Sequence, residues 1–111
     1  MKNFKINKNL IGHGSPVYFI ADIAANHDGK LERAKKLIEL AKENGADAVK
    51  FQTWRTELLM TKKAKLAKYQ KNDDPELKSQ FDMAKKLELS YRQFVQLKNY
   101  CDKKKIIFLS T

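Results

Sequence analysis

A lysine near the end of an apolar segment has the clearest chemical potential in this sequence. Residues 46–51 read as a short strand, and side chains alternate between the two faces of a strand, so Lys50 and Gln52 share one face. A cation and an amide at the carboxyl end of a parallel strand lie where α/β folds bind ligands. Because burying an unpaired ammonium is costly, we expect Lys50 to have an anionic partner. The alternative is a strand end that frays into solvent.

Strands and helices alternate along the chain. Apolar runs predict strands at residues 17–22, 46–51 and 106–110. Residues 2–12 predict a short extended or hairpin segment. Leucine, isoleucine and alanine recur at helical spacing over residues 31–44, with Asn26 or Asp28 as the expected N-cap and Gly45 at the C′ position.

Two more helices are predicted before the third strand. Residues 53–74 form a long polar stretch, after which Asp74 and Pro75 are typical of a helix start. Ser90 and Gln93 have the spacing of a capping box, which begins the next helix. Such alternation favours parallel pairing of the three strands, with the helices as crossovers.

The fold class predicted is therefore α/β, as part of a larger parallel sheet or barrel. A barrel of eight strand–helix units takes ~250 residues, so three strands would leave it open. In that arrangement we expect Val49, Phe51 and Ile107 to be incompletely covered and the isolated chain to be marginally stable or prone to associate. The alternative is a complete three-stranded domain with an exposed sheet edge.

Composition limits the function classes. The 111 residues are 42% hydrophobic and 32% charged, which is typical of a soluble globular protein, and no apolar run approaches the ~20 residues of a membrane span. The only cysteine, Cys101, falls on an apolar helix face and favours a core position in a reducing cytoplasm. The net charge of +10 is mostly dispersed, which favours solvated surface; a nucleic-acid-binding module built on residues 62–71 is the alternative.

Four segments in this order resemble the beginning of the sialic acid synthase (N-acetylneuraminate synthase) family. They are residues 20–29 (IADIAANHDG), 34–38 (AKKLI), 45–52 (GADAVKFQ) and 108–111 (FLST). The resemblance implies a TIM (β/α)8 barrel followed by a small antifreeze-like domain. Residues 1–111 would then be the first three parallel strands with their helices, with five strands and the second domain absent.

The resemblance also implies roles for individual residues. Lys50 matches a lysine that contacts phosphoenolpyruvate, and Ser110 and Thr111 match a segment that helps to hold this substrate. A compact ammonium suits an anion that carries both a phosphate and a carboxylate. Gln52 matches a residue that hydrogen-bonds in the substrate pocket, and Asn26 also falls in a matching substrate-binding position.

Asp22 stands where the family usually has glutamate, and the resemblance makes it the candidate catalytic acid/base or sugar-orienting group. Its side chain is one methylene shorter, which puts that role in doubt; the alternative is a residue that caps a turn. The family uses a divalent metal, Mn or Mg, whose ligands we expect outside this chain. His27 is therefore predicted to order its loop or to border the pocket, and not to bind metal; the alternative is an ordinary turn residue.

The activity implied is condensation of phosphoenolpyruvate with an N-acetylated hexosamine to give a nine-carbon 2-keto sugar acid. C3 of phosphoenolpyruvate would attack the open-chain sugar aldehyde, water would add at C2, and phosphate would leave by C–O cleavage. Sialic, legionaminic and pseudaminic acid synthases share this beginning, so the acceptor sugar stays open. A homodimer without nucleic-acid or membrane partners is implied for the intact protein. A catalytically inactive barrel fragment is the alternative for the isolated chain.

Overall fold

The computed structural model describes residues 2–73 and 76–111. Over these residues the elements in chain order are β1 (Phe4–Ile6), β2 (Asn9–Ile11), β3 (Ile20–Ala24), α1 (Leu31–Glu43), β4 (Ala48–Phe51), α2 (Thr56–Leu59), α3 (Lys68–Asp73), α4 (Gln80–Leu87), α5 (Tyr91–Lys104) and β5 (Ile107–Ser110). The predicted hairpin is the antiparallel pair β1–β2, with Asn7 in a left-handed conformation at its turn. In this part of the chain, no helix has both the length and the apolar character that crossing a bilayer requires.

A parallel three-stranded sheet forms the centre of the fold. Its order is β3-β4-β5, and both pairings are parallel, as predicted. The register places Asp22 opposite Lys50 and Phe51 opposite Ser110. Between Asp22 and Ala24 the register shifts at a bulge, and Ala24 has a φ of 50°. The bulge bends the end of β3 immediately after the residue that faces Lys50.

The core lies between this sheet and helices α1 and α5. The predicted apolar stripes supply it, because Ala34 and Ile38 of α1 and Leu97 and Cys101 of α5 are fully buried. The capping box of Ser90 and Gln93 is present at the start of α5. Cys101 is therefore a core residue, as expected, and burial raises the pKa of its thiol to about 12.

The predicted boundaries of the first strand were wrong. Residues 17–22 were expected, but β3 begins at Ile20, and the side chains of Val17 and Phe19 are exposed. The backbone N–H of Phe19 donates to the Asp47 carboxylate at 2.8 Å, and its carbonyl accepts from the N–H groups of Asp47 and Ala48. The Asp47 carboxylate thus takes the place of a backbone carbonyl as the acceptor for Phe19 N–H, and the regular ladder begins one residue later, at Ile20.

Helix α1 begins at Leu31 as predicted, but neither of its two expected N-caps is used. Helix α1 begins after Lys30 without a side-chain cap, because Asn26 donates to the Ile23 carbonyl and the Asp28 carboxylate pairs with Arg33 at 2.6 Å. The expected start at residues 74 and 75 lies outside the described residues, and α4 begins only after Ser79, whose hydroxyl accepts from Asp82 N–H. The polar stretch before it contains the short helices α2 and α3.

The expectation of incomplete cover was wrong for two of its three residues. Val49 and Phe51 are fully buried, and only Ile107 is half-buried. Among the exposed apolar side chains are two that lie just before β3, where Val17 is 73% and Phe19 is 63% exposed. The tendency of the isolated chain to associate stays a prediction.

Candidate functional site at the carboxyl ends of the parallel strands

Lys50 and Asp22 form an ion pair near the carboxyl ends of β4 and β3. The parallel register puts the two residues side by side, and Lys50 Nζ lies 3.1 Å from Asp22 Oδ2. The predicted anionic partner of Lys50 is therefore the carboxylate of Asp22. The two side chains are 32% and 52% exposed, so both groups remain accessible to a ligand from solvent.

The alternation of side chains along β4 separates Lys50 from the core. Val49 and Phe51 point to the helix-covered side, where the Phe51 ring packs against Phe94 and Phe108 with centroids 6.2 and 5.5 Å away. Lys50 lies on the opposite face of the strand. Gln52 is exposed and follows the last residue of β4, and its place on the same face as Lys50 stays a prediction.

Three hydroxyl residues lie together beside the ends of β4 and β5. Thr53 N–H donates to the Thr111 carbonyl at 2.8 Å, and Thr111 N–H donates to the Phe51 carbonyl at 3.1 Å. The Thr53 and Ser110 hydroxyl oxygens are 2.5 Å apart. The ladder thus continues past both strands and holds Ser110 and Thr111 next to the segment that carries Gln52. Sequence reasoning missed Thr53, although its position directly after Gln52 was an available signal.

Asn26 is engaged in its own turn. Its side-chain amide and its backbone N–H both approach the Ile23 carbonyl oxygen at 3.0 Å. The side chain is exposed and keeps an acceptor oxygen for other partners. The structure gives no hydrogen bond between Asn26 and the Lys50–Asp22 pair, so its assignment as a substrate-binding residue stays a prediction.

His27 is fully buried and orders the loop after β3. Its Nδ1 accepts a hydrogen bond from Gly29 N–H at 3.0 Å, so the neutral ring carries its proton on Nε2. The ring centroid lies 6.2 Å from that of Phe51, on the face opposite to Lys50. Burial lowers the pKa of His27, and Asp28 opposes this shift only in part. A buried neutral histidine that packs against the core fits the loop-ordering prediction.

The described residues do not provide a metal site. Within residues 2–73 and 76–111 no three histidine, cysteine, aspartate or glutamate side chains lie close enough together to hold an ion. The Asp22 carboxylate is paired with Lys50, and the Nδ1 of His27 is occupied by Gly29. These residues therefore do not fit a divalent cation.

The lysine-rich segment at residues 62–71 lies away from this pair in the chain and is partly helical. Lys62, Lys63, Lys65 and Lys68 are exposed, whereas the side chain of Lys71 lies outside what the structure describes. Their exposure agrees with the interpretation of this charge as solvated surface. Nucleic-acid binding by the segment stays an untested alternative.

The parallel three-stranded sheet with its helical connections defines the class as an α/β fold, and the accessible Lys50–Asp22 ion pair lies near its carboxyl edge. Comparison with known proteins gives the family. Residues 37–111 match the NeuB family. The chain is 43% identical over 90% of its length to N,N'-diacetyllegionaminic acid synthase of Legionella pneumophila and 38% identical over its whole length to the spore coat polysaccharide biosynthesis protein SpsE of Bacillus subtilis. This chain belongs to the NeuB family.

A solved structure agrees with this assignment. The chain resembles the N-acetylneuraminic acid (sialic acid) synthetase of Leptospira borgpetersenii, solved in complex with citrate, with a TM-score of 0.77 and 27% sequence identity. The similarity covers 98% of this chain and 33% of that one. The chain spans only 28% and 29% of the two curated relatives named above. The comparison therefore shows the family and the partial-barrel fold of these residues.

Proposed function

We propose that the protein carrying this sequence condenses phosphoenolpyruvate with an N-acetylated hexosamine to form a nine-carbon 2-keto sugar acid. The observation that carries the proposal is the accessible ammonium of Lys50 near the carboxyl end of β4. An anion with a phosphate and a carboxylate suits a compact, accessible cation. Membership of the NeuB family, whose members named above include synthases of nonulosonic acids, supports the same reaction.

Lys50 would bind and orient the three-carbon donor. In the structure its ammonium is paired with Asp22 at 3.1 Å, so an arriving anion must share or replace this carboxylate. Both groups are partly exposed, which makes such an exchange inexpensive compared with that of a buried pair. Neutralising the donor and fixing its orientation are contributions that a positioned ammonium can make to the rate.

The hydroxyl groups and amides would complete the site. Ser110 and Thr111 would donate hydrogen bonds to the same anion, while Gln52 and Asn26 would contact the sugar with their amides. Asp22, released from Lys50, is the candidate acid/base or sugar-orienting group. C3 of phosphoenolpyruvate would then attack the sugar aldehyde, water would add at C2, and the C2–O bond would break to release inorganic phosphate.

The finer properties of the intact protein form part of the proposal. We expect residues 1–111 to be the first portion of a TIM barrel that is followed by an antifreeze-like domain, and the protein to act as a cytoplasmic homodimer. The metal requirement that the family resemblance implies, for Mn or Mg, would be met by ligands outside these residues. The acceptor class is supported by relatives named for legionaminic and N-acetylneuraminic acids.

The test is phosphate release by the protein expressed from its complete reading frame. Phosphoenolpyruvate is supplied with hexosamines that carry one or two N-acetyl groups, including N-acetylmannosamine, with and without Mn²⁺ or Mg²⁺. We expect phosphate to appear only when a sugar is present, together with a 2-keto acid product. With ¹⁸O in the bridging position of phosphoenolpyruvate, the label should leave with phosphate. Sugar-independent release, or retention of the label in the product, would contradict the proposal.

The same assay on the 111-residue chain addresses the inactive-fragment alternative. The described residues lack a metal donor set, so we expect no turnover from this chain alone. Turnover by the isolated chain would show that residues 1–111 contain all the catalytic groups.

A further inference from the structure

A partly buried carboxylate, Glu88, holds the segment that follows β4. Glu88 lies at the end of α4, and its side chain is only 9% exposed. Its Oε2 accepts two hydrogen bonds from Thr56, one from the backbone N–H at 2.8 Å and one from the hydroxyl at 2.7 Å. Thr56 is itself fully buried and begins α2. A residue 32 positions later in the chain thus serves as the cap of this short helix.

The surroundings of Glu88 favour its charged form. Lys85 Nζ lies 3.4 Å from Oε1, and Arg55 Nε lies 4.0 Å from the same atom. Burial alone would raise the pKa of Glu88, but the hydrogen bonds from Thr56 and the charge of Lys85 hold the pKa below its ordinary value. A carboxylate that is largely removed from water is tolerated when it is hydrogen-bonded and paired in this way. Removing the charge therefore weakens the contact with Thr56.

A second contact fixes the same segment on α4. The indole N–H of Trp54 donates to the Ala84 carbonyl at 3.2 Å. At the other end of the segment, Thr53 N–H donates to the Thr111 carbonyl. Gln52 and Thr53, which lie at the proposed site, are therefore held between the sheet ladder on one side and the Trp54 and Thr56 anchors on the other.

We infer that Glu88 is a positioning residue for the site, which acts through Thr56 to fix Gln52 and Thr53 at the carboxyl end of β4. It makes no contact with substrate in this account. Lys50 lies within β4 and its register with β5, whereas Gln52 follows the last residue of the strand, so loss of the anchor should affect Gln52 more than Lys50. The inference rests on the proposed function for its kinetic consequences, but the ordering of residues 52–56 is measurable without catalysis.

The variants are Glu88→Gln, which keeps the side-chain volume and removes the charge, and Thr56→Val, which removes the hydroxyl donor. The matched control is Glu57→Gln. Glu57 also pairs with Lys85, at 2.6 Å, but it is exposed, and the carboxylate that accepts from Thr56 is that of Glu88. All variants are made in the protein expressed from its complete reading frame. Should Glu88→Gln fail to fold, Thr56→Val provides the same comparison.

Hydrogen–deuterium exchange is the first measurement. We expect amide exchange over residues 52–56 to be faster in Glu88→Gln than in the parent, and unchanged in Glu57→Gln. Unchanged exchange in Glu88→Gln would overturn the inference, whether or not the protein is a synthase. This result is independent of the proposed function, which is judged separately by phosphate release from the unaltered protein.

Steady-state kinetics is the second measurement. A small misplacement of a group in the site can lower the reaction rate by up to about hundredfold. In Glu88→Gln we expect a smaller effect, a rise of about tenfold in KM for the acceptor sugar. KM for phosphoenolpyruvate should stay within about twofold of the parent value, because the residues proposed to bind this donor are unchanged. The double variant with Thr56→Val should be no worse than Glu88→Gln alone. Equal increases in both KM values, or additive effects of the two substitutions, would show a general structural role and overturn the inference.

Discussion

Replacing Lys50 with alanine should separate ligand binding from fold stability. The ion pair with Asp22 is solvent-accessible, with side chains 32% and 52% exposed, and pairs of this kind contribute at most about 1 kcal/mol to stability. A charge-assisted hydrogen bond from Lys50 to a phosphate or carboxylate would contribute about 1.5–3 kcal/mol. Lys50→Ala should therefore weaken phosphoenolpyruvate binding by about tenfold to hundredfold. The free energy of unfolding should change much less.

The assay is steady-state kinetics with phosphoenolpyruvate varied, beside urea unfolding of the same variants. Lys35→Ala is the matched control, because Lys35 on α1 is 28% exposed and pairs with Glu32 at 3.0 Å, which is close to the situation of Lys50. Lys50→Arg should restore little, since the planar guanidinium is wider than an ammonium. An unaltered kcat/KM in Lys50→Ala, or an equal loss in Lys35→Ala, would refute the reasoning.

Three further outcomes are expected. Gly29→Ala should lower the melting temperature, because Gly29 has a φ of 68° and a Cβ there would overlap the Lys86 carbonyl oxygen; a melting temperature equal to that of the parent would contradict this close approach. The free energy of unfolding should fall as the pH drops below about 6.5, because burial lowers the pKa of His27 and the unfolded chain then binds a proton that the folded state excludes. His27→Leu should flatten this pH dependence in urea titrations between pH 5 and 8. An unchanged slope of the unfolding free energy against pH would contradict the assignment to His27. The Cys101 thiol should resist thiol-specific reagents in the folded protein at pH 8 and react after denaturation, whereas rapid native labelling would show that it is accessible.

The sequence predicted those features that depend on local pattern. Apolar spacing identified the faces of α1 and α5, and the capping box at Ser90 and Gln93 marked the start of α5 correctly. Alternation in β4 separated Lys50 from Val49 and Phe51. Parallel pairing followed from the order of strands and helices, because a helical connection brings successive strands into the same direction.

The features that the sequence could not predict depend on contacts distant in the chain. The carboxylate of Asp47 replaces a backbone partner for Phe19, so β3 begins later than its apolar run. Asp22 becomes the partner of Lys50 only through the register of β3 and β4, which the sequence does not specify to the residue. The anchoring of Thr56 by Glu88 joins residues 32 apart, and neither has a local motif that signals it.

The central claim is that the ammonium of Lys50 receives the anionic donor at the ends of the parallel strands. Its most direct test is a crystal structure, with phosphoenolpyruvate bound, of the protein expressed from its complete reading frame. We predict a phosphate or carboxylate oxygen at about 2.7–2.9 Å from Lys50 Nζ, with the Ser110–Thr111 segment on the same ligand. Phosphoenolpyruvate bound elsewhere, with the Lys50–Asp22 pair free of ligand, would contradict the account.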